Sequence, residues 1–196
     1  MDTNDWIPVG KTKKSSHKID YNDENINGSK ILLKSKYVFW SHELSNKDWS
    51  INGYDKICTI STVSDFWKLY NNIPKLGYLK NSFFIMRDGI EPIWEHPFNR
   101  NGGFCTLKVN INNCLNLFED LSVRLMCNKI LSTFDNNDIN EINEINGISI
   151  SPKNNWAIIK IWNKNSDTNI LSKLDQHILT TYNYCNIKYI KNEPEY

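Results

Sequence analysis

The sequence predicts an α+β domain in which an antiparallel sheet carries its helices on one face, and three observations support this. Seven short segments rich in β-branched and aromatic residues are bounded by Asn, Asp and Gly. Three longer segments place apolar residues at helical spacing. The helices fall between strands that join mostly to antiparallel neighbours. With 196 residues, 40% hydrophobic and 12% aromatic, the chain can bury one sizeable core.

Residues 1–30 are mostly Lys, Ser, Asp and Asn, with too little apolar surface to offset the entropy of ordering, so they are expected to form a mobile tail before a folded domain over 31–196. Inside that tail, residues 5–11 with Trp6 make an apolar island, which suits a short docking peptide and equally a patch packed weakly on the domain. Strands are expected over 36–43, 54–60, 82–87, 104–110, 147–151, 156–162 and 186–191. The first helix, 62–72, opens on a Thr62 cap with Asp65 three residues later. The second, 115–133, carries Leu117, Leu121 and Leu125 along one face, and the third covers 166–180. Residues 135–146, rich in Asn, Asp and Glu, read as a flexible surface insertion.

Composition narrows the function. No apolar run is long enough to span a bilayer and the N-terminus has no apolar signal segment, so a cytoplasmic protein without a membrane partner is expected. Cysteines 58, 105, 114, 127 and 185 form no CxxC pair and read as reduced packing residues. A net charge of +1 supplies no global drive toward nucleic acid, so any basic surface must be local. Histidines 17, 42, 96 and 177 lack metal-ligand spacing, and there is no Cys-His pair, phosphate-cradling Gly loop or nucleophile elbow. No metal, cofactor or catalytic residue is expected, and binding without chemistry is favoured over an enzyme.

The most informative stretch is DGIEPIWE, residues 88–95, where Trp94 and Glu95 stand side by side after a turn with no core periodicity to explain them. A second tryptophan, Trp49, lies in the turn-forming segment SNKDWSING, residues 45–53. An indole face attracts a cation, at roughly 0.5–2 kcal/mol, and an aromatic stacks a base for about 1–3 kcal/mol. The two oxygens of an ionised Glu95 match the paired N1–H and N2–H donors on the edge of guanine. Either tryptophan alone also suits a core residue at the end of an element.

Trp49, TVSDFWKLYNNI over 62–73, DGIEPIWE over 88–95, the Gly102-Gly103 pair and IIKIW over 158–162 together resemble the eukaryotic translation initiation factor 4E family, which binds the 7-methylguanosine cap of mRNA. Order and spacing match from about residue 36 to 191. The resemblance implies a strongly curved antiparallel sheet, the cap in its concave side and three helices on its convex back. It further implies that Trp49 and Trp94 sandwich the methylated base, that Glu95 reads guanine, and that Trp162 backs the methyl group, where the residues alone also allow an ordinary core Trp.

Lys153, nine residues before Trp162, falls where the family has its first phosphate-gripping Arg. Asn155 and Ile158 occupy two later basic positions and Phe104 a third, so three expected cations are missing. Lys160, on the same strand face as Ile158 and Trp162, is the compensating candidate, with Lys164 and Arg100 as further substitutes. A weaker dependence on the triphosphate, or a rearranged grip on it, follows.

On the convex side Val63 and Trp67, four apart, share a helix face and imply a dock for an amphipathic peptide of a scaffold-type initiation factor or a competing repressor. Arg124 replaces a family Glu and Leu131 a small residue on the second helix, changes expected to alter partner choice. Ile161 to Lys164 resembles the family's cap-binding repressors, whereas a Trp at 49 resembles its initiation factors, so recruitment for initiation and translational repression both remain open, beside an interaction module that has lost cap binding. Little chain after the last strand is left for the loop that family members place beside the nucleotide following the cap. Abundant Asn, Ile and Lys point to an AT-rich genome, such as that of a protist or a giant virus infecting one.

Overall fold

A computed structural model describes residues 31–132 and 144–195. The expected tail over 1–30, with its Trp6 segment, and most of the expected insertion over 135–146 lie outside the described residues.

Seven strands, β1 (Leu32–Glu43), β2 (Asp55–Thr62), β3 (Asn81–Arg87), β4 (Gly103–Asn110), β5 (Ile145–Pro152), β6 (Trp156–Asn163) and β7 (Lys188–Lys191), form one curved sheet in the order β2-β1-β3-β5-β6-β4-β7. Every pairing is antiparallel. Register shifts at Phe39/Trp40 and at Ile145/Gly147 break the ladder, and such bulges bend and twist a strand. Three α-helices among the described residues, α1 (Val63–Tyr70), α2 (Cys114–Met126) and α3 (Gln176–Thr181), cover one face.

The period-2 alternation of the strands creates two different faces. Tyr37, Phe39, Phe83, Ile85, Ala157, Ile159 and Ile161 point toward the helices and join Phe66, Leu69, Leu117, Leu121, Leu125 and Ile178 in the main core. Their neighbours Phe84, Met86 and Trp162 point the other way and form a smaller apolar cluster with Ile90, against which Trp40, Tyr54 and Trp94 pack. The sheet thus has a helix-covered back and an aromatic hollow.

Local chemistry explains the element ends. Thr62 Oγ1 accepts from the Asp65 N–H at 3.0 Å while Asp65 Oδ2 accepts from the Thr62 N–H at 2.9 Å, a reciprocal capping box that starts α1. The second helix stops at Met126, well short of the expected 133, because the chain turns left-handed at Asn128 (φ 52°). This corrects the placement of Leu131: it lies beyond α2, 8% exposed, bridged to Leu174 and buried in the core.

The third expected helix, 166–180, is mostly not one. Asn165 and Asn169 accept from the backbone N–H groups of Asp167 and Leu171, local turns that compete with helix, and only the segment capped by Asp175 is α-helical. Its apolar spacing reflects Ile170, Leu174 and Ile178 sealing the core from a winding loop. Asn186 (φ 46°) delays the last strand to Lys188. Ile145 and Asn146, expected in the insertion, instead open β5 and are buried.

Candidate functional site

The hollow face holds a cleft of about 650 Å³ whose walls include Trp49, Trp94, Glu95, Lys160 and Trp162. These residues come from three separate parts of the chain, the β1–β2 loop, the loop after β3 and β6, and the sheet brings them together.

Trp162 is the floor. It is the concave-facing residue near the end of β6, 3% exposed, and its Nε1 donates to Ser149 Oγ on β5 at 2.9 Å. Phe84 and Phe104 meet its ring at centroid distances of 6.3 and 5.8 Å.

Trp94 is delivered by the turn after β3, where Gly89 adopts φ 83°, a conformation costly for any residue with a Cβ. Asn99, fully buried, pins this loop by donating to the carbonyls of Glu91 and Ile93 at 2.8 Å each. The Trp94 ring lies 6.2 Å from Phe104 at an interplanar angle of 27°. Gly103 lets the following strand approach β7 closely, since a Cβ there would collide with the Ile190 carbonyl. The adjacent Glu95 is partly exposed, and its Oε1 accepts from the Glu195 N–H at 3.4 Å.

Trp49 forms the opposite lip. Its loop is built from side-chain caps: Asn46 Oδ1 accepts from Asp48 N–H and Asp48 Oδ1 from Ser50 N–H, both at 2.9 Å. The contacts from Ser50 hold the Asp48 carboxyl below its ordinary range. One face of the indole stacks on His42 (4.1 Å, 9°), yet Trp49 remains 57% exposed, so its other face is open to the cleft. His42 was not foreseen as a support. It is fully buried, with Nε2 against the Asp48 carbonyl at 2.9 Å and Nδ1 unpartnered among the described residues.

Lys160 projects from β6 between these walls, with Nζ 4.2 Å from the Phe104 ring centroid, 5.7 Å from Trp162 and 5.8 Å from Trp94. Burial, and then the charge of Lys153, pulls its pKa down to about 8. Lys153 itself is exposed in the β5–β6 turn, outside the cleft walls, where its N–H donates to the Trp156 carbonyl at 2.7 Å. Of the further cations considered, Lys164 lies over Phe98 (5.3 Å) and Arg100 is exposed. Phe104, at an expected basic position, is buried and packs against Trp94 and Trp162, so ring packing stands where a phosphate contact was expected.

Tyr54 and Ser149 also line the cleft and escaped the sequence reading. Burial raises the Tyr54 hydroxyl well above its usual pKa, with the Glu95 and Asp48 carboxylates pushing the same way. Strand alternation marks Ser149 as concave-facing once the β5 register is known. No group of His, Cys, Asp and Glu among the described residues could hold a metal.

On the helical back, Trp67 is 41% exposed and leans on Phe66 (5.0 Å) and Tyr70 (6.1 Å), with Val63 half-buried one turn earlier. Arg124 is less available than its position suggested, since its Nε meets Asp120 at 2.8 Å and its second arm Asp175 at 3.4 Å, tying α2 to the start of α3.

A curved antiparallel sheet with helices on its back and an aromatic cleft in its hollow is the architecture of this α+β domain. The family model for eukaryotic initiation factor 4E matches residues 32–195. The chain belongs to that family. It is 30% identical over 140 residues to eukaryotic translation initiation factor 4E of Dictyostelium discoideum, covering 67% of this chain and 52% of that one. Against the Candida albicans factor the identity is 29% over 157 residues, 76% and 72% of the two chains. A homolog from Acanthamoeba polyphaga mimivirus is 35% identical over 95 residues, 41% of this chain and 34% of its own. The chain therefore spans about half the length of its Dictyostelium relative.

Among solved structures, Caenorhabditis elegans eIF4E-3 in complex with the 4E-binding protein Mextli and cap analog superposes with a TM-score of 0.68 at 17% identity, covering 82% of this chain and 92% of that one. Ascaris suum eIF4E-3 with m7G cap gives 0.68 at 17%, covering 84% and 93%. At that identity the likeness is one of fold. No helix among the described residues is long and apolar enough to cross a membrane.

Proposed function

We propose that this protein binds the 7-methylguanosine cap of mRNA in the concave cleft and, through its convex helices, recruits a partner that acts in translation initiation. The observation that carries the reading is the convergence of Trp49, Trp94, Glu95, Trp162 and Lys160 on one cleft. Methylation at N7 leaves the base with a positive charge, so indole faces bind it through their quadrupole as well as by stacking. The open face of Trp49 and the ring of Trp94 supply the two sides, Glu95 accepts the paired N–H donors of guanine, and Trp162 closes the methyl end. Lys160 and Lys153 then meet the phosphate chain, with fewer cations than the family pattern provides.

On the back, the exposed Trp67 with Val63 suits the apolar face of a partner helix from a scaffold-type factor or a repressor. The bound ring of Arg124, Asp120 and Asp175 presents a mixed-charge border to that helix in place of a plain acidic one. Relatives solved with a cap analog and with the 4E-binding protein Mextli support both halves of the reading. Cytoplasmic residence agrees with it.

Retention on immobilised 7-methyl-GTP tests the central half. Elution by free 7-methyl-GTP but not by equimolar GTP is expected; release by both nucleotides alike contradicts recognition of the cap.

A further inference from the structure

The Lys160 ammonium lies where the proposed ligand also needs to be. Two of its three ring contacts, Trp162 at 5.7 Å and Trp94 at 5.8 Å, belong to the aromatic surface that would hold a cationic base, and the nearest, Phe104 at 4.2 Å, packs against both of those rings. Among the described residues it has no ion pair or hydrogen bond, although Lys47, Asp48, Glu95 and Glu195 line the same cleft. A partly buried cation held by ring faces alone is attracted by their quadrupoles but has lost much of its hydration. Its lowered pKa, driven first by burial, reflects the same lack of compensation.

We infer that Lys160 is an internal competitor for the cation-binding rings and thereby the residue that makes the cleft require a phosphate on its ligand. This inference rests on the cap-binding reading. A methylated guanine without phosphate meets rings already engaged by a lysine, and two like charges cannot share one apolar site without repulsion. A phosphate changes the balance. The four-carbon stem of lysine is flexible, and a charge-assisted bond from ammonium to phosphate is stronger than its ring contacts, so the anion draws Nζ off the aromatic surface and frees it for the base. Base and phosphate binding are then coupled through one side chain. The first phosphate, nearest the base, carries most of that coupling, while added phosphates extend toward the exposed Lys153 outside the cleft walls.

The geometry distinguishes this from an ordinary phosphate contact. A lysine that only touches phosphate leaves the affinity of the bare nucleoside unchanged when removed. An internal competitor, once removed, improves it.

The test is isothermal titration of 7-methylguanosine, 7-methyl-GMP and 7-methyl-GTP into the full chain, its Lys160→Met variant and a Lys108→Met control. Methionine keeps the stem packing without the charge, and the control removes an exposed lysine resting on Trp156 (4.5 Å) outside the cleft. Lys160→Met is expected to bind the nucleoside about tenfold more tightly and the monophosphate about tenfold more weakly than wild type, with the control unchanged. A nucleoside affinity that stays equal or falls in Lys160→Met, with 7-methyl-GMP still bound by wild type, overturns the competitor role alone. Failure of wild type to bind any of the three ligands overturns the cap-binding reading and this inference with it.

Discussion

The Nε1 of Trp162 donates to Ser149 Oγ at 2.9 Å across the β5–β6 pair, and both residues are buried. This bond fixes the ring that floors the cleft. Ser149→Ala leaves the indole N–H buried and unpaired, a loss of about 1–3 kcal/mol. Urea unfolding should show that drop, and an unchanged midpoint would mean that water or a shifted ring satisfies the N–H.

Capping of α1 links the fold to the proposed partner face, because the same short helix carries Trp67. Thr62→Ala is expected to cost about 1 kcal/mol in thermal or urea unfolding. Asp65 adds a pH dependence: hydrogen bonds from Ser61 and Thr62 hold its carboxyl below the ordinary value. A group depressed in the folded state stabilises above its unfolded pKa, about 4, and that contribution disappears as pH falls through the folded value. Between pH 6 and pH 3, Asp65→Asn should therefore lose less stability than wild type; parallel losses would count against the capping box.

Lys160 makes a pH prediction of the same sign at the alkaline end of the scale. Its folded pKa of about 8 lies below the usual 10.5, so the unfolded chain binds more protons between those values and stability rises with pH across that window. Wild type should gain on Lys160→Met as pH is raised from about 8 to 10. If the difference between their melting temperatures stays constant over that range, the ammonium is not desolvated in solution.

Much of this was legible in the sequence, and unevenly so. Strand alternation along β6 correctly sends Ile159 and Ile161 to the core and Lys160 and Trp162 to the cleft, because a period of two survives any tertiary context that buries one face differently from the other. Thr62 and Asp65 announced their helix, since capping chemistry is local. Leu131 and the 166–180 segment misled for the converse reason: apolar spacing records burial, and a loop that seals a core buries the same residues as a helix would. His42 beneath Trp49 needed the fold, because the bend at residues 45–53 that stacks them leaves no periodic trace.

Two cations, Lys153 and Lys160, serve the proposed phosphate grip. The plot of log affinity against log salt for 7-methyl-GTP should accordingly have a slope of about −1 to −2. A slope near −4 would show that other lysines or arginines close on the triphosphate.

At the convex face, Trp67→Ala should weaken binding of a Tyr-x-x-x-x-Leu peptide at least tenfold, as loss of an aromatic hot spot does, without altering the nucleotide response. The mixed-charge border at Arg124 predicts that this standard peptide binds weakly even to wild type. Fluorescence anisotropy measures both, and tight wild-type binding would contradict the altered partner choice.

The central claim is that a cationic base enters between Trp49 and Trp94. Tryptophan fluorescence titrated with 7-methyl-GTP and with GTP, on wild type and on Trp94→Ala, tests it most directly. Strong quenching by the methylated nucleotide alone, lost in the variant, is the predicted result; equal quenching by both nucleotides, or a Trp94→Ala response matching wild type, would contradict it.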